Sequence, residues 1–168
     1  MNESSNPHSK SERLRFEGRD EAQAIAPVMA QQAKQQISIL GRDINQALFA
    51  NQEFIDCISD LAGRSPTTQI RIFVHDTRLN QQNGHRLIPL AQHLTSSIHI
   101  HNTTKQHRDL ATTQLLVDDF AYLTYPRATQ YIGYTNLHDR LEVRQLQQKF
   151  DQLWQQSSPD ITVRRLDL

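Results

Sequence analysis

The sequence predicts an α/β domain in which helices flank a mixed sheet. Three observations carry this. Apolar positions alternate along the chain between helical and strand spacing. Leu, Ile, Val and Phe make up about a quarter of the 168 residues, above the roughly one-fifth below which chains remain disordered. Two apolar runs also meet at a tight turn, Asp118-Asp119. Strands joined so closely run antiparallel, which argues against an all-parallel sheet.

The elements follow in order. Residues 1–15 are rich in Ser and Asn and read as a disordered polar tail, leaving 16–168 as the domain. Asp20 and Gln23 form a capping box for a helix with Ala22, Ile25, Ala26, Met29 and Ala33 on one face; Pro27 either kinks it or marks its first turn. Ile37–Leu40 is a short strand broken by Gly41, followed by a turn through Leu48. Asn51 caps a helix that turns Phe54, Ile55, Ile58 and Leu61 inward, and Gly63 stops it. Gln69–His75 is a strand. After the Asn83-Gly84 turn comes a helix with Leu87, Leu90, Ala91 and Leu94 inward and Pro89 in its first turn. Ser97–His101 is another strand, and Leu115–Val117 with Phe120–Tyr125 makes a hairpin that Gln130–Tyr134 extends. Asp139 and Glu142 cap a long helix burying Val143, Leu146, Phe150, Leu153 and Trp154, and Ile161–Leu168 closes the chain as a strand.

Composition excludes several functions. Lys+Arg and Asp+Glu number 18 each, which argues against a protein devoted to coating nucleic acid or an anionic membrane. Much of the polar surface comes instead from 20 Gln. One cysteine, Cys57, precludes an intramolecular disulfide framework, and it shares a helix face with Phe54, Ile58 and Leu61. No apolar run reaches the ~18 residues of a membrane helix. The first residues lack the apolar core of a signal peptide, so the expected compartment is the cytoplasm.

The strand Ile70-Arg71-Ile72-Phe73-Val74, the Leu115-Leu116-Val117-Asp118-Asp119 hairpin and the closing Phe150-Asp151-Gln152-Leu153-Trp154 segment resemble one half of the phospholipase D superfamily. More closely, the chain from about Ala33 onward is similar to an uncharacterised bacterial phospholipase D-like family whose domain occurs alone or behind an acetyltransferase domain. The resemblance implies a His-x-Lys-x-x-x-x-Asp motif across the hairpin: a His that attacks phosphorus, a Lys that neutralises the phosphoryl oxygens and an orienting Asp. Setting the Asp on Asp119 puts Thr112 and Gln114 at the other two positions, and setting it on Asp118 gives Ala111 and Thr113. Neither register supplies a nucleophile or a cation. The small Gly-Ser pair of active members falls near Pro126 and Arg127. The resemblance therefore implies a pseudoenzyme, and the acidic pair is explained by turn formation alone.

His99 and His101 share a strand face with His107 nearby, but no acidic or Cys ligand stands at metal-binding spacing, so no metal or cofactor is expected. His107 with Arg108, ahead of the hairpin, and Arg127 after it are candidate anion-binding residues. Tyr122, Tyr125, Tyr131 and Tyr134 fit sheet packing as well as a stacking platform. The expected function is a non-catalytic binding or assembly module. The alternatives are a phosphodiesterase or nuclease with rearranged residues, and a nucleic-acid-binding module using Arg71, Arg108 and Arg127. The expected partner is another protein or a second copy of the chain as a homodimer. Neither a membrane nor nucleic acid is the expected partner.

Overall fold

The computed structural model describes residues 12–127 and 130–164. Its elements are β1 (Leu14–Glu17), α1 (Arg19–Gln31), β2 (Gln36–Gly41), α2 (Gln46–Phe49), α3 (Gln52–Arg64), β3 (Gln69–Val74), α4 (Arg78–Gln82), α5 (Leu87–His93), β4 (Ile98–Asn102), β5 (Thr113–Val117), β6 (Ala121–Tyr125), β7 (Ile132–Asn136), α6 (Arg140–Gln155) and β8 (Ser158–Pro159), with a 3-10 turn at Lys105–His107. One eight-stranded mixed sheet runs β1-β7-β6-β5-β2-β3-β4-β8. β2, β3 and β4 are parallel, while β5 lies antiparallel to β2 and leads into the β5-β6-β7-β1 meander. This is the predicted mixed α/β architecture.

β2 sits at the centre, and every residue from Ile37 to Gly41 is buried. A strand covered on both faces reads as an unbroken apolar run rather than an alternating one. One face of the sheet carries the larger core, where Met29, Ile39, Phe54, Ile72, Leu115 and Leu123 meet. The other face is covered by α6, with Leu110 beside it, through Leu40, Phe73, Leu116 and Tyr122 against Val143 and Phe150. The Arg71 guanidinium pairs with Asp151 at 2.8 Å and lies over the Phe150 and Trp154 rings. His101 stacks on Trp154 at 3.7 Å.

The β5–β6 turn is anchored by Asp118, which has a left-handed backbone (φ 49°) that Asp tolerates better than most residues. Its carboxylate accepts the main-chain N–H groups of Lys34 (2.8 Å), Gln35 and Gln36 (both 2.9 Å). The approach to β2 is thus tied to the hairpin.

The caps at Asn51 and Asp139 form as expected, accepting from the Phe54 and Glu142 N–H groups. Other expectations are corrected. Asp20 does not cap α1, which starts at Arg19 behind Gly18, whose φ of 100° suits glycine. Pro27 lies inside that helix, which continues to Gln31. Gly63 is inside α3, which ends one residue later. Leu14 and Arg15, counted with the tail, belong to β1; residues 1–11 lie outside the described part. Trp154, Leu146 and Leu153 are half-buried, because α6 overhangs the sheet it covers. The expected terminal strand from Ile161 is a turn, and 165–168 lie outside the described residues. The turn forms because buried Asp160 accepts from the Thr77 hydroxyl (2.8 Å), Asn102 Nδ2 (3.0 Å) and the Thr162 N–H (2.9 Å), which curls the chain around it.

Two stability outcomes follow. Phe150→Ala empties the centre of the α6 core and is expected to cost roughly 3–5 kcal/mol, with Trp154→Ala costing less. Asp118→Ala removes three main-chain hydrogen bonds, two of whose donors are exposed to water, and is expected to cost about 1–3 kcal/mol. Urea denaturation of each variant measures both. A Trp154→Ala loss as large as that of Phe150→Ala would contradict the half-buried position of Trp154.

Candidate functional site

β2 is where the sheet changes from parallel to antiparallel. In open α/β sheets, ligands bind beyond the carboxyl ends of the parallel strands at such a switch point. There the chain leaves an open cleft of about 1130 Å³. Arg19 opens α1, Arg42 follows β2, Arg78 opens α4, and Lys105 and Arg108 follow β4; all five line the cleft. Two carboxylates stand among them, Asp43 and Asp76, and Asp76 is paired with Arg78 at 3.3 Å. Arg19, Arg42, Lys105 and Arg108 have no ion-pair partner among the described residues. A chain with no net charge thus gathers unpaired cations at one place. Burial, and then the charge of Asp76, push the Asp43 carboxyl above its ordinary range, against a hydrogen bond from its own backbone N–H.

The cleft wall at 42–46 is held from beneath. Buried Asn80 accepts the Ile44 N–H at Oδ1 (3.0 Å) and donates from Nδ2 to the Ile44 carbonyl (2.8 Å). At Gly41 the chain turns so tightly that a Cβ would lie 2.5 Å from the Asp43 carbonyl oxygen. Asn45 accepts from the Leu48 N–H and donates to the hydroxyls of Tyr125 (3.2 Å) and Tyr131 (3.3 Å). Burial pushes the Tyr125 phenol well above its ordinary range, although Thr113 beside it pulls the other way. The fully buried His85 ring accepts the Leu87 N–H at Nδ1 (3.2 Å). Burial lowers its pKa to about 4, and the Asn45 backbone offsets only part of this.

His75 is the one histidine lining the cleft. Its Nε2 lies 2.8 Å from the Leu110 carbonyl, which can only accept, and its Nδ1 lies 2.7 Å from the Thr103 hydroxyl. The carbonyl therefore holds the proton on Nε2, and Nδ1 accepts from the Thr103 hydroxyl.

The residues singled out from the sequence converge only in part. Arg108 joins the basic cleft. His107, Thr112 and Gln114 line a separate groove beside α6. Arg127 is exposed and lines neither hollow, and residues 128–129 next to it lie outside the described part. Asp119 is exposed, 3.8 Å from Arg140, and it is Asp118 that carries the structural role. Thr113, from the alternative register, is buried next to Tyr125. The tyrosines form no common platform: Tyr125 and Tyr131 tilt together at 5.5 Å, Tyr122 is buried under α6, and Tyr134 is exposed beneath Arg13. Arg71 lies under α6. Among the described residues, no three His, Cys, Asp or Glu side chains gather as a metal site, and His101 is held by Trp154 and the Ser157 hydroxyl (2.7 Å). Half-buried Cys57 has its thiol pushed up by burial and then by Asp60, Asp56 and Glu53, away from a reactive thiolate. Arg19, Arg42, Arg78 and Lys105 were not singled out from the sequence. Their signal was positional: each lies just past a strand or at the start of a helix.

Residues 18–166 match the family described as Domain of unknown function (DUF7931). The chain belongs to that family. No curated protein matches it. Solved structures share the fold at low identity. Nuc of Salmonella typhimurium, a phospholipase D family member, is 14% identical with a TM-score of 0.56, covering 88% of this chain and 98% of its own. NucT from Helicobacter pylori is 8% identical at 0.63, with the same coverage. TrmBL2, an archaeal chromatin protein with a novel mode of DNA binding, is 13% identical at 0.62 and covers 93% of this chain. This chain spans 56% of TrmBL2, little more than half of its length. The shared fold is that of phospholipase D family members, and at these identities it is the fold alone that is shared. Among the described residues, no helix is long and apolar enough to cross a membrane.

His85 yields a stability prediction with a definite sign. Its folded pKa is about 4 and its unfolded value about 6.5, so the unfolded chain takes up a proton first as pH falls. Stability is therefore highest above pH ~6.5 and declines as pH drops toward ~4. In urea melts at pH 7.5 and pH 5, His85→Leu is expected to lose part of that decline. A variant with the wild-type difference between the two pH values would exclude His85 as its source.

Proposed function

We propose that this domain is a non-catalytic, cytoplasmic binding module of phospholipase D-like fold, and that its basic cleft takes a phosphate-bearing ligand. The observation that carries this reading is the set of unpaired cations, Arg19, Arg42, Lys105 and Arg108, around the cleft. Cations from several elements suit an anion with more than one charged group, because each surface contact alone contributes little. The reading is supported by the hairpin, where the His and Lys of the phospholipase D-type motif are replaced. Ala111 and Thr113, or Thr112 and Gln114, stand where a nucleophile and its cation belong, and both nitrogens of His75 are engaged. Losses within one catalytic unit do not leave half the activity.

A nucleic-acid strand is the first such ligand to test, since TrmBL2 binds DNA and carries this fold. Zero net charge favours a short segment or a phosphate end over extended coating of a duplex. Self-association belongs to the same proposal: Ile132 and Tyr134 leave an exposed part of the sheet face beyond α6. A two-fold pair would use this surface twice, and light scattering at high micromolar concentration reads it.

The test pairs binding with turnover. A fluorescent oligonucleotide and inorganic pyrophosphate are each expected to bind, more weakly as salt rises. Arg42→Ala combined with Arg108→Ala is expected to weaken binding at least tenfold with the melting point unchanged. A generic phosphodiester is expected to survive with and without divalent metal. Turnover that disappears in His75→Ala or His107→Ala would replace this reading with a rearranged phosphodiesterase. Binding unaffected by the double substitution would remove the cleft from it.

A further inference from the structure

The groove beside α6 is separate from the basic cleft and differs from it in chemistry. It encloses about 520 Å³ between the open end of the β5–β6 hairpin, the C-terminal half of α6 and the chain at 107–112. Leu40, Leu110, Phe150 and Leu153 give it an apolar body. At its sheet side, Gln114 pairs across the ladder with Leu40 on β2 and Thr124 on β6, so the three stand in one row. Gln114 is only 5% exposed, yet its carboxamide makes no hydrogen bond among the described residues. Because Gln114 lines the groove, a group that enters there can reach its amide in place of water. Thr112 and Thr124, also lining the groove, have hydroxyls without a side-chain partner among the described residues. The ionisable residues of the lining are Lys149 and His107, both basic, with no acidic residue among them. Lys149 has no ion-pair partner among the described residues, and the His107 Nε2 is held by the Gln156 Oε1 at 3.1 Å.

From this we infer a second ligand site, for a small amphipathic carboxylate. The carboxylate would accept from the Gln114 amide and the Thr112 or Thr124 hydroxyl with Lys149 beside it, while its hydrocarbon part lies against Leu40, Leu110, Phe150 and Leu153. Each half of the groove selects against one simpler ligand. A bare anion leaves the apolar wall in water, and an uncharged alcohol can reach the Gln114 amide but offers no charge to Lys149.

Decanoate, kept below its micelle concentration, is the probe, with decanol and acetate as comparisons. Trp154 is the only tryptophan of the chain and stacks against Phe150 at 5.9 Å, so its emission reports entry into the groove. Decanoate is expected to bind saturably and at least tenfold more tightly than decanol or acetate. Gln114→Leu, a near-isosteric change, and Lys149→Gln, on the surface, are each expected to weaken decanoate several-fold while leaving pyrophosphate binding unchanged. Equal affinity for decanol and decanoate, non-saturable uptake, or a Gln114→Leu variant that binds decanoate like the wild type would overturn the site. So would a dimer that Leu153→Glu converts to monomer, because a second copy would then be the occupant. Melting curves of both binding variants show that they are folded. If pyrophosphate also fails to bind the wild type, the basic cleft has failed and this groove is judged on decanoate alone.

Discussion

The Asp118 carboxylate accepts three consecutive main-chain N–H groups, those of Lys34, Gln35 and Gln36, and the rest of the sheet depends on that clasp. β2 and β5 must meet in one register, because every residue of β2 from Ile37 to Gly41 is buried and a slip by one residue would exchange the two cores. Asp118 lies in the turn after β5 and holds the chain just before β2, so it sets that register from the end opposite the cleft. Once β2 is placed, β3 and β4 follow in parallel on one side and the meander on the other. The switch in direction leaves a gap at the far end of β2, and the basic cleft occupies it.

Much of this fold could be read from the chain. Ile70, Ile72 and Val74 alternate with Arg71 and Phe73, and Asn51 and Asp139 stand where helices begin, so these elements announce themselves locally. What could not be read depended on distant partners. β1 has four residues, two of them charged, and is a strand only because β7 offers it an edge. Asp20 looks like a cap, yet Gly18 reaches a backbone conformation that lets α1 start earlier. The spacing of Ile161 and Val163 suits a strand, but Asp160 is drawn into a network with Thr77 and Asn102, far away in sequence, and bends the chain first.

The candidate site was harder still. The resemblance to phospholipase D points to the hairpin, where Thr112 and Gln114 stand, while the cations of the cleft are scattered from residue 19 to residue 108. Among them only Arg108 stands out in the sequence, and of its companions His107 lines the other groove and Arg127 is exposed. No spacing rule joins Arg19 to Lys105; the sheet order does. Once that order is known, a cation following a parallel strand becomes a strong signal.

Asn80 holds the main chain of Ile44 by two hydrogen bonds from beneath the cleft wall. The backbone there is already fixed when the cleft is empty. A ligand that enters does not have to order a loop, and the entropy lost on binding falls on the long arginine and lysine side chains instead. Recognition in such a site has a rigid frame and flexible fingers. It should involve little heat-capacity change, because little apolar surface is covered, and it should accept anions of differing shape more readily than a site whose charged groups are themselves locked in place.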